Sequence, residues 1–218
     1  MKYGESAFDI LYLLLAVVSG VLILNRAKSR AGKLMGAATL ILGIGDAFHL
    51  VPRVLNYFVS ADFTAALGIG KLVTSLTMTV FYVLMYHIWL ELYREKEDKR
   101  MTAFVLFLLA VRVVLCLFPQ NGWLQNSSDM TWGILRNIPF TLLGLLIILL
   151  FYKKRGEILR FRKVWLLVTL SFLFYLPVAV GAGKLLILGM LMLPKTVCYI
   201  LLILTFLFYV TKDREQRS

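Results

Sequence analysis

The segment 142–151 reads LLGLLIILLF, ten residues without a charged or strongly polar side chain. It does not alternate between apolar and polar residues, so it does not fit a strand of a membrane barrel. The apolar run extends over approximately 131–152, the length that a helix needs to cross a hydrocarbon core of roughly 30 Å. Hydrocarbon offers the backbone no hydrogen-bond partners, and a helix satisfies them within one segment. This run therefore predicts a transmembrane helix.

Six further runs of this kind occupy most of the chain. The chain has 218 residues, and 60% of them are hydrophobic, whereas soluble domains contain about 45–50% apolar residues. The sequence predicts an all-α, polytopic membrane protein, a single domain over 1–218 that is a seven-transmembrane-helix bundle. Its helices are predicted at approximately 7–25, 34–58, 65–93, 102–118, 131–152, 164–183 and 187–211.

The basic residues predict the orientation of this bundle. The formal net charge is +12, and 17 of the 24 Lys and Arg residues fall in three short loops and the C-terminal tail, at 26–33, 94–101, 153–163 and 212–218. All four segments lie on one face, and such an excess marks the cytoplasmic side. We therefore expect a multi-pass plasma-membrane protein with its N-terminus extracellular and its C-terminus cytoplasmic. Because topology explains the basic residues, no nucleic-acid partner is predicted.

Ionisable residues inside apolar runs are costly and usually face the interior of the bundle or a water-filled cavity. With this topology, seven of eight such residues share the outer half of the bundle, and only His87 lies in the inner half. We expect Asp9 at the outer mouth of the first helix, within reach of water. The seven are Asp46, His49, Arg53, Lys71, Arg112, Arg136 and Lys195.

This outer layer would hold five cations and one carboxylate. Uncompensated cations in a low dielectric are unfavourable, so either several face water or an anion completes the site. We expect an outward-facing cationic pocket that binds, senses or transports an anionic small molecule or the headgroup of a membrane lipid. A network that merely ties helices together is the structural alternative. The predicted ligand-binding residues are Asp46, His49, Arg53, Lys71, Ser75, Arg112, Arg136, Asn137, Lys195 and Tyr199.

An intramembrane hydrolase acting on lipid is an alternative, with Asp46 and His49 as acid and base or as metal ligands. The Asp-x-x-His spacing resembles seven-helix hydrolases related to alkaline ceramidases, and Gly45-Asp46 is similar to a pair in lysoplasmalogenase-type proteins. The former use additional histidines late in the chain, and here none follows His87. No metal site and no cofactor are therefore predicted, and whether the protein is an enzyme stays open.

A retinal protein is the remote alternative. Lys195 in the seventh helix resembles the lysine to which microbial rhodopsins attach retinal. Those proteins carry a carboxylate counterion in the third helix, where this chain has Lys71 and threonines.

Four stretches of the outer half resemble uncharacterised seven-helix integral membrane proteins of Gram-positive bacteria. The resemblance implies a bacterial plasma-membrane protein and carries no activity. The stretches are 45–53 (GDAFHLVPR), 116–121 (CLFPQN), 136–140 (RNIPF) and 189–196 (GMLMLPKT).

Overall fold

Seven long helices account for nearly all of the chain in the computed structural model, which describes residues 2–127, 129–181 and 186–215. All seven are long and apolar enough to cross a membrane, and no strand occurs among the described residues. The prediction of seven apolar helices is thus confirmed. They are α1 (Lys2–Arg26), α2 (Arg30–Phe58), α3 (Thr64–Tyr93), α4 (Lys99–Leu117), α5 (Met130–Lys153), α6 (Val164–Gly181) and α7 (Met192–Glu215).

The helix starts follow from local chemistry. Ser29 and Asp98 precede α2 and α4, and their side-chain oxygens accept hydrogen bonds from the backbone N–H of Gly32 (3.1 Å) and Arg100 (2.9 Å). These caps satisfy donors that the first turn of a helix leaves free. Three 3₁₀ turns occur between helices, at Pro119–Asn121, Leu159–Phe161 and Leu186–Leu191.

The seventh helix differs from its predicted range, 187–211. Residues Leu186–Leu191 form a 3₁₀ turn, and α7 begins at Met192. Pro194 is then in the first turn of α7, where its missing N–H costs no intrahelical hydrogen bond. The predicted end of the sixth helix, 182–183, lies outside the described residues.

The helices close into a ring in chain order. Each packs on the next, α7 returns to α1, and α3 also contacts α5. The core contains large aromatic side chains with at most 1% exposure, among them Phe81, Tyr82 and Tyr86 of α3. Large apolar side chains also cover the outside of the bundle, for example Leu11, Leu14 and Val18 of α1. A lipid environment suits such an exterior, which on a soluble protein would promote aggregation.

Helices α2 and α3 share the most extensive contact, which depends on glycine. A Cβ on Gly70 would collide with the carbonyl oxygen of Phe48 and lie 2.7 Å from the Cα of His49. A Cβ on Gly45 would collide with the side chain of Thr77. Small residues allow such close approach of membrane helices. The packing brings His49 of α2 close to Lys71 of α3.

An ion-pair network joins two of the basic loops. Lys154 Nζ lies 2.8 Å from Glu95 and 2.7 Å from Glu157. These hydrogen-bonded carboxylates hold the pKa of Lys154 above its usual value. The 94–101 and 153–163 loops therefore lie side by side at one end of the bundle, as a common basic face requires.

Candidate functional site

A cavity of about 500 Å³ lies inside the bundle, at the end opposite these basic loops. Helices α2 to α7 and the α4–α5 loop (residues 118–127) all contribute to its wall. Seven of the ten predicted ligand-binding residues line the cavity. These seven are His49, Lys71, Ser75, Arg112, Arg136, Asn137 and Lys195.

Arg112 is the most deeply buried of the cavity cations, with only 1% of its surface exposed. Its guanidinium carbon lies 3.9 Å from the centre of the Phe140 ring, and Nη1 donates a hydrogen bond of 3.3 Å to Asn137 Oδ1. Its Nε is buried and has no acceptor among the described residues. A guanidinium buried in this way retains a donor that the protein itself does not satisfy.

Asn137 fixes the position of this guanidinium. Its Nδ2 donates 2.8 Å to the carbonyl of Gly133, one turn earlier on α5. Its Oδ1 therefore faces Arg112 and also accepts a 2.7 Å hydrogen bond from the hydroxyl of Tyr175 on α6. One amide thus links α4, α5 and α6, and its Oδ1 accepts two hydrogen bonds from protein donors.

Arg136 holds the α4–α5 loop against the cavity. Its Nη1 donates 2.7 Å to Asn121 Oδ1, and its guanidinium lies 4.4 Å from the Trp123 ring centre. Asn121 Nδ2 donates to carbonyls at the end of α4, including Leu115 (2.8 Å) and Phe118 (2.9 Å). The loop therefore satisfies carbonyls that the helix end leaves free and presents Arg136 to the cavity.

The lysines have weaker partners. Lys71 Nζ lies 2.7 Å from Asn126 Oδ1 in the loop and is exposed. Lys195 Nζ lies 5.1 and 5.4 Å from the ring centres of Tyr175 and Tyr199. Aromatic faces attract cations, by about 0.5–2 kcal/mol per contact. Neither contact neutralises a charge.

The charges around the cavity have one sign. Arg136 experiences the repulsive fields of both Lys71 and Arg112. Four cations line the cavity, and no carboxylate does so among the described residues. Their hydrogen-bond and stacking partners are neutral amides and aromatic rings, and the nearest carboxylate, Asp46, acts on Lys195 from outside the cavity. The arrangement leaves a positive field that an anion of suitable size would neutralise.

Aromatic side chains close the inner end of the cavity. The Tyr82 hydroxyl lies 3.1 Å from that of Tyr199 and 3.4 Å from Ser171 Oγ, and the Tyr82 ring packs edge-on against Phe140 at 5.2 Å. Phe140 lines the cavity, whereas Tyr82, Tyr199 and Ser171 do not. The cavity therefore ends above this hydrogen-bonded layer.

Three predicted residues do not line the cavity. Tyr199 lies in the layer below it. Arg53 forms a 3.1 Å ion pair with Glu5 of α1. Asp46 accepts a 2.6 Å hydrogen bond from the Tyr12 hydroxyl, although it still interacts electrostatically with Lys195. Asp46, His49 and Arg53 are spaced i, i+3 and i+7, which places them on one face of α2, but α1 covers part of that face.

The expectation for Asp9 is wrong. Only 5% of its surface is exposed, because the α1 face that carries it packs on α2 rather than opening to water.

The two candidate catalytic residues, Asp46 and His49, do not face the same space. His49 lines the cavity, and its Nδ1 has no partner among the described residues. Asp46 faces Tyr12 instead. No group of three His, Cys, Asp or Glu side chains in the described parts of the chain is placed to hold a metal ion.

Sequence reasoning missed the neutral residues that build the site, chiefly Asn121, Trp123, Phe140 and Tyr175. A search restricted to ionisable residues in apolar runs cannot find them. The signal for Asn121 and Trp123 was present, because a polar stretch follows directly on α4.

Comparisons with known proteins add no relative. No protein-family model, curated protein or solved structure matches the chain. The geometry of the cavity is therefore the feature that indicates a function.

Proposed function

We propose that the protein is an integral membrane protein that binds an organic anion in an outward-facing cationic cavity. One observation carries the proposal: Lys71, Arg112, Arg136 and Lys195 converge on one cavity that no described carboxylate lines. Burying cations without counter-charges is unfavourable. A bound anion removes this cost.

The chemistry of the cations favours a carboxylate or a phosphate. Arginine donors form a planar fork that matches two oxygens of either group, and lysine supplies a mobile point charge. Arg112 is held in place by Phe140 and Asn137. Its Nε lacks an acceptor among the described residues but is closed to the cavity, so the remaining guanidinium N–H groups are the ones proposed to orient the oxyanion.

The cavity suits an anion with an apolar body. Its volume of about 500 Å³ falls in the range of pockets that hold drug-sized molecules, about 300–1,000 Å³. Apolar side chains share the wall with the cations, namely Met78, Phe140, Val178, Ala179 and Met192. A lipid headgroup with the start of its chain and a soluble amphiphilic acid both have this character.

Binding is the activity that we propose, rather than passage through the bundle. The Tyr82–Tyr199–Ser171 layer closes the cavity below Phe140. Passage would require α3, α6 and α7 to separate there. A receptor or sensor needs no such movement.

The orientation is part of the proposal and is tested with single cysteines. We expect the Gln125→Cys variant to react with an impermeant maleimide in intact cells. The Gly156→Cys variant should react only after permeabilisation, because the basic face is cytoplasmic. The native Cys116 and Cys198 are 0% and 5% exposed and should stay unlabelled, so the wild type is the control. The reverse labelling pattern would refute the topology.

Native mass spectrometry of the purified protein in mild detergent tests binding. We expect the mass spectra to show a co-purifying anion. In a separate thermal unfolding experiment, we expect hexyl phosphate and hexanoate to raise the midpoint temperature of unfolding. Hexyltrimethylammonium, a cation with the same chain, should not do so. The Arg112→Gln/Arg136→Gln variant should lose both the bound anion and the thermal shift.

A co-purifying phospholipid would identify a lipid headgroup as the source, and a water-soluble acid would identify a soluble ligand. Equal thermal shifts with hexyl phosphate and hexyltrimethylammonium would contradict an anion site.

A further inference from the structure

We propose that Ser6 and Asp9 of α1 form a binding site for one monovalent cation, a proton or an alkali ion, against α2. Both residues are only 5% exposed. Ser6 Oγ and Asp9 Oδ2 are buried and have no hydrogen-bond partner among the described residues. Residues at i and i+3 lie on the same helix face. Two unsatisfied oxygens therefore share one buried face of α1.

Buried polar oxygens without partners are rare in folded proteins and usually indicate a missing ligand, water or ion. A hydroxyl and a carboxylate are both oxygen ligands, which hard cations prefer. The carboxylate also supplies a negative charge. The missing partner of this pair is therefore positive.

The neighbouring side chains show why Asp9 Oδ2 is left without a hydrogen-bond donor among the described residues. Arg53 of α2 interacts electrostatically with Asp9, but its Nη2 is 3.1 Å from Glu5. Glu5 also accepts a 3.0 Å hydrogen bond from Tyr57. Arg53 thus attracts Asp9 but gives its hydrogen bond to Glu5.

The remaining acidic neighbour has its own partners. Asp46 of α2 interacts electrostatically with Asp9, accepts the 2.6 Å hydrogen bond from Tyr12 and faces the charge of Lys195 on α7. The cluster therefore contains three carboxylates, Glu5, Asp9 and Asp46, and two cations, Arg53 and Lys195. Glu5 and Asp46 accept hydrogen bonds from other side chains, and Asp9 is the one carboxylate of the three whose buried oxygen lacks a donor among the described residues. One positive charge suffices for it, which is why the proposed ligand is monovalent.

A proton and an alkali ion supply that charge in different ways. A proton on Asp9 makes the carboxyl neutral and gives it a donor for Ser6. A sodium ion would be held by Asp9 Oδ2 and Ser6 Oγ together. Both remove the cost of an uncompensated carboxylate in a low dielectric.

The cation site is coupled electrostatically to the cavity, and this consequence alone rests on the proposed function. Asp46 contacts Tyr12, one turn from Asp9, and its charge acts on Lys195 in the cavity wall. Filling the cation site reduces the negative charge around Asp46, so Lys195 has less local compensation. Anion affinity should then rise with cation occupancy.

The test uses the purified full-length protein without any anion probe. The thermal midpoint is measured in sodium chloride against choline chloride at equal ionic strength, and the infrared band of protonated carboxyl groups is recorded at neutral pH. An alkali site predicts a sodium-dependent rise in the midpoint. A proton site predicts a protonated-carboxyl band without a sodium response. Either signal should be absent from Asp9→Asn.

Matched variants make this result specific. Asp62→Asn removes an exposed carboxylate and should keep the wild-type signal. Ser6→Ala should weaken the apparent sodium affinity at least tenfold for an alkali site and preserve the band for a proton site. A wild type with neither signal, or with signals that Asp9→Asn retains, would overturn the proposal. Such a failure would leave the anion site standing, because no anion is used.

Discussion

Replacing Arg112 by Lys is expected to weaken binding of hexyl phosphate about 10- to 100-fold. Lysine keeps the charge but loses the planar fork and the face that stacks on Phe140 at 3.9 Å. A hydrogen bond to a charged group contributes about 1.5–3 kcal/mol, and each 1.4 kcal/mol changes affinity tenfold. Isothermal titration or the shift of the thermal midpoint measures the loss.

Replacing Arg112 by Met separates a binding role from a structural one. If Arg112 serves the ligand, the Met variant should lose hexyl phosphate binding and unfold at the same temperature as the ligand-free wild type or higher. The reason is that a buried charge without a counter-charge costs stability and an apolar side chain does not. Asn137 still accepts from Tyr175 at 2.7 Å, so its oxygen keeps a partner.

Arg155 provides the matched control for both variants. It stacks on Tyr152 at 4.0 Å as Arg112 stacks on Phe140, but it is exposed and lies outside the cavity. Arg155→Lys and Arg155→Met should bind hexyl phosphate like the wild type. A large drop in the thermal midpoint of Arg112→Met with unchanged binding would show that Arg112 only ties helices together.

Replacing Gly70 by Ala is expected to cost about 3 kcal/mol of stability, the upper end of what an inserted methyl group usually costs. The new Cβ would collide with the backbone of Phe48 and His49, which cannot rotate away as a side chain can. Helices α2 and α3 would have to separate. The thermal midpoint and monodispersity in detergent measure the effect.

Gly4 supplies the control for this substitution. It also lies in a helix, α1, but no heavy atom lies within 4 Å of the position its Cβ would take. Gly4→Ala should be neutral or slightly stabilising, because alanine is the better helix former. A Gly70→Ala protein as stable as the wild type would show that the α2–α3 contact is looser than the structure indicates.

The helices were predictable because membrane solvation acts locally. A backbone in hydrocarbon must be helical, so each apolar run specifies its own structure without reference to the others. The shifted start of α7 at Met192 also has a local cause, Pro194. Asp9 was misjudged because its exposure depends on how α1 packs on α2.

The site was predictable in part. Lys71, Arg112, Arg136 and Lys195 were found because charges at membrane depth are conspicuous in a sequence. Arg53 was predicted to join them by the same criterion, but it does not line the cavity. Periodicity gives the direction of a side chain on its own helix, but it does not say which neighbouring helix meets that face. For Arg53 that neighbour carries Glu5.

The sequence by itself determined seven apolar helices and the charged residues that interrupt them, since both are properties of single segments of the chain. The tertiary structure alone decided which cations share a cavity, which one pairs with Glu5, and which neutral residues hold them. It placed Asn137 between Arg112 and Tyr175, and it buried Asp9 Oδ2 where none of the described residues offers it a hydrogen bond. These outcomes depend on which helices become neighbours, and no single segment of the chain encodes that.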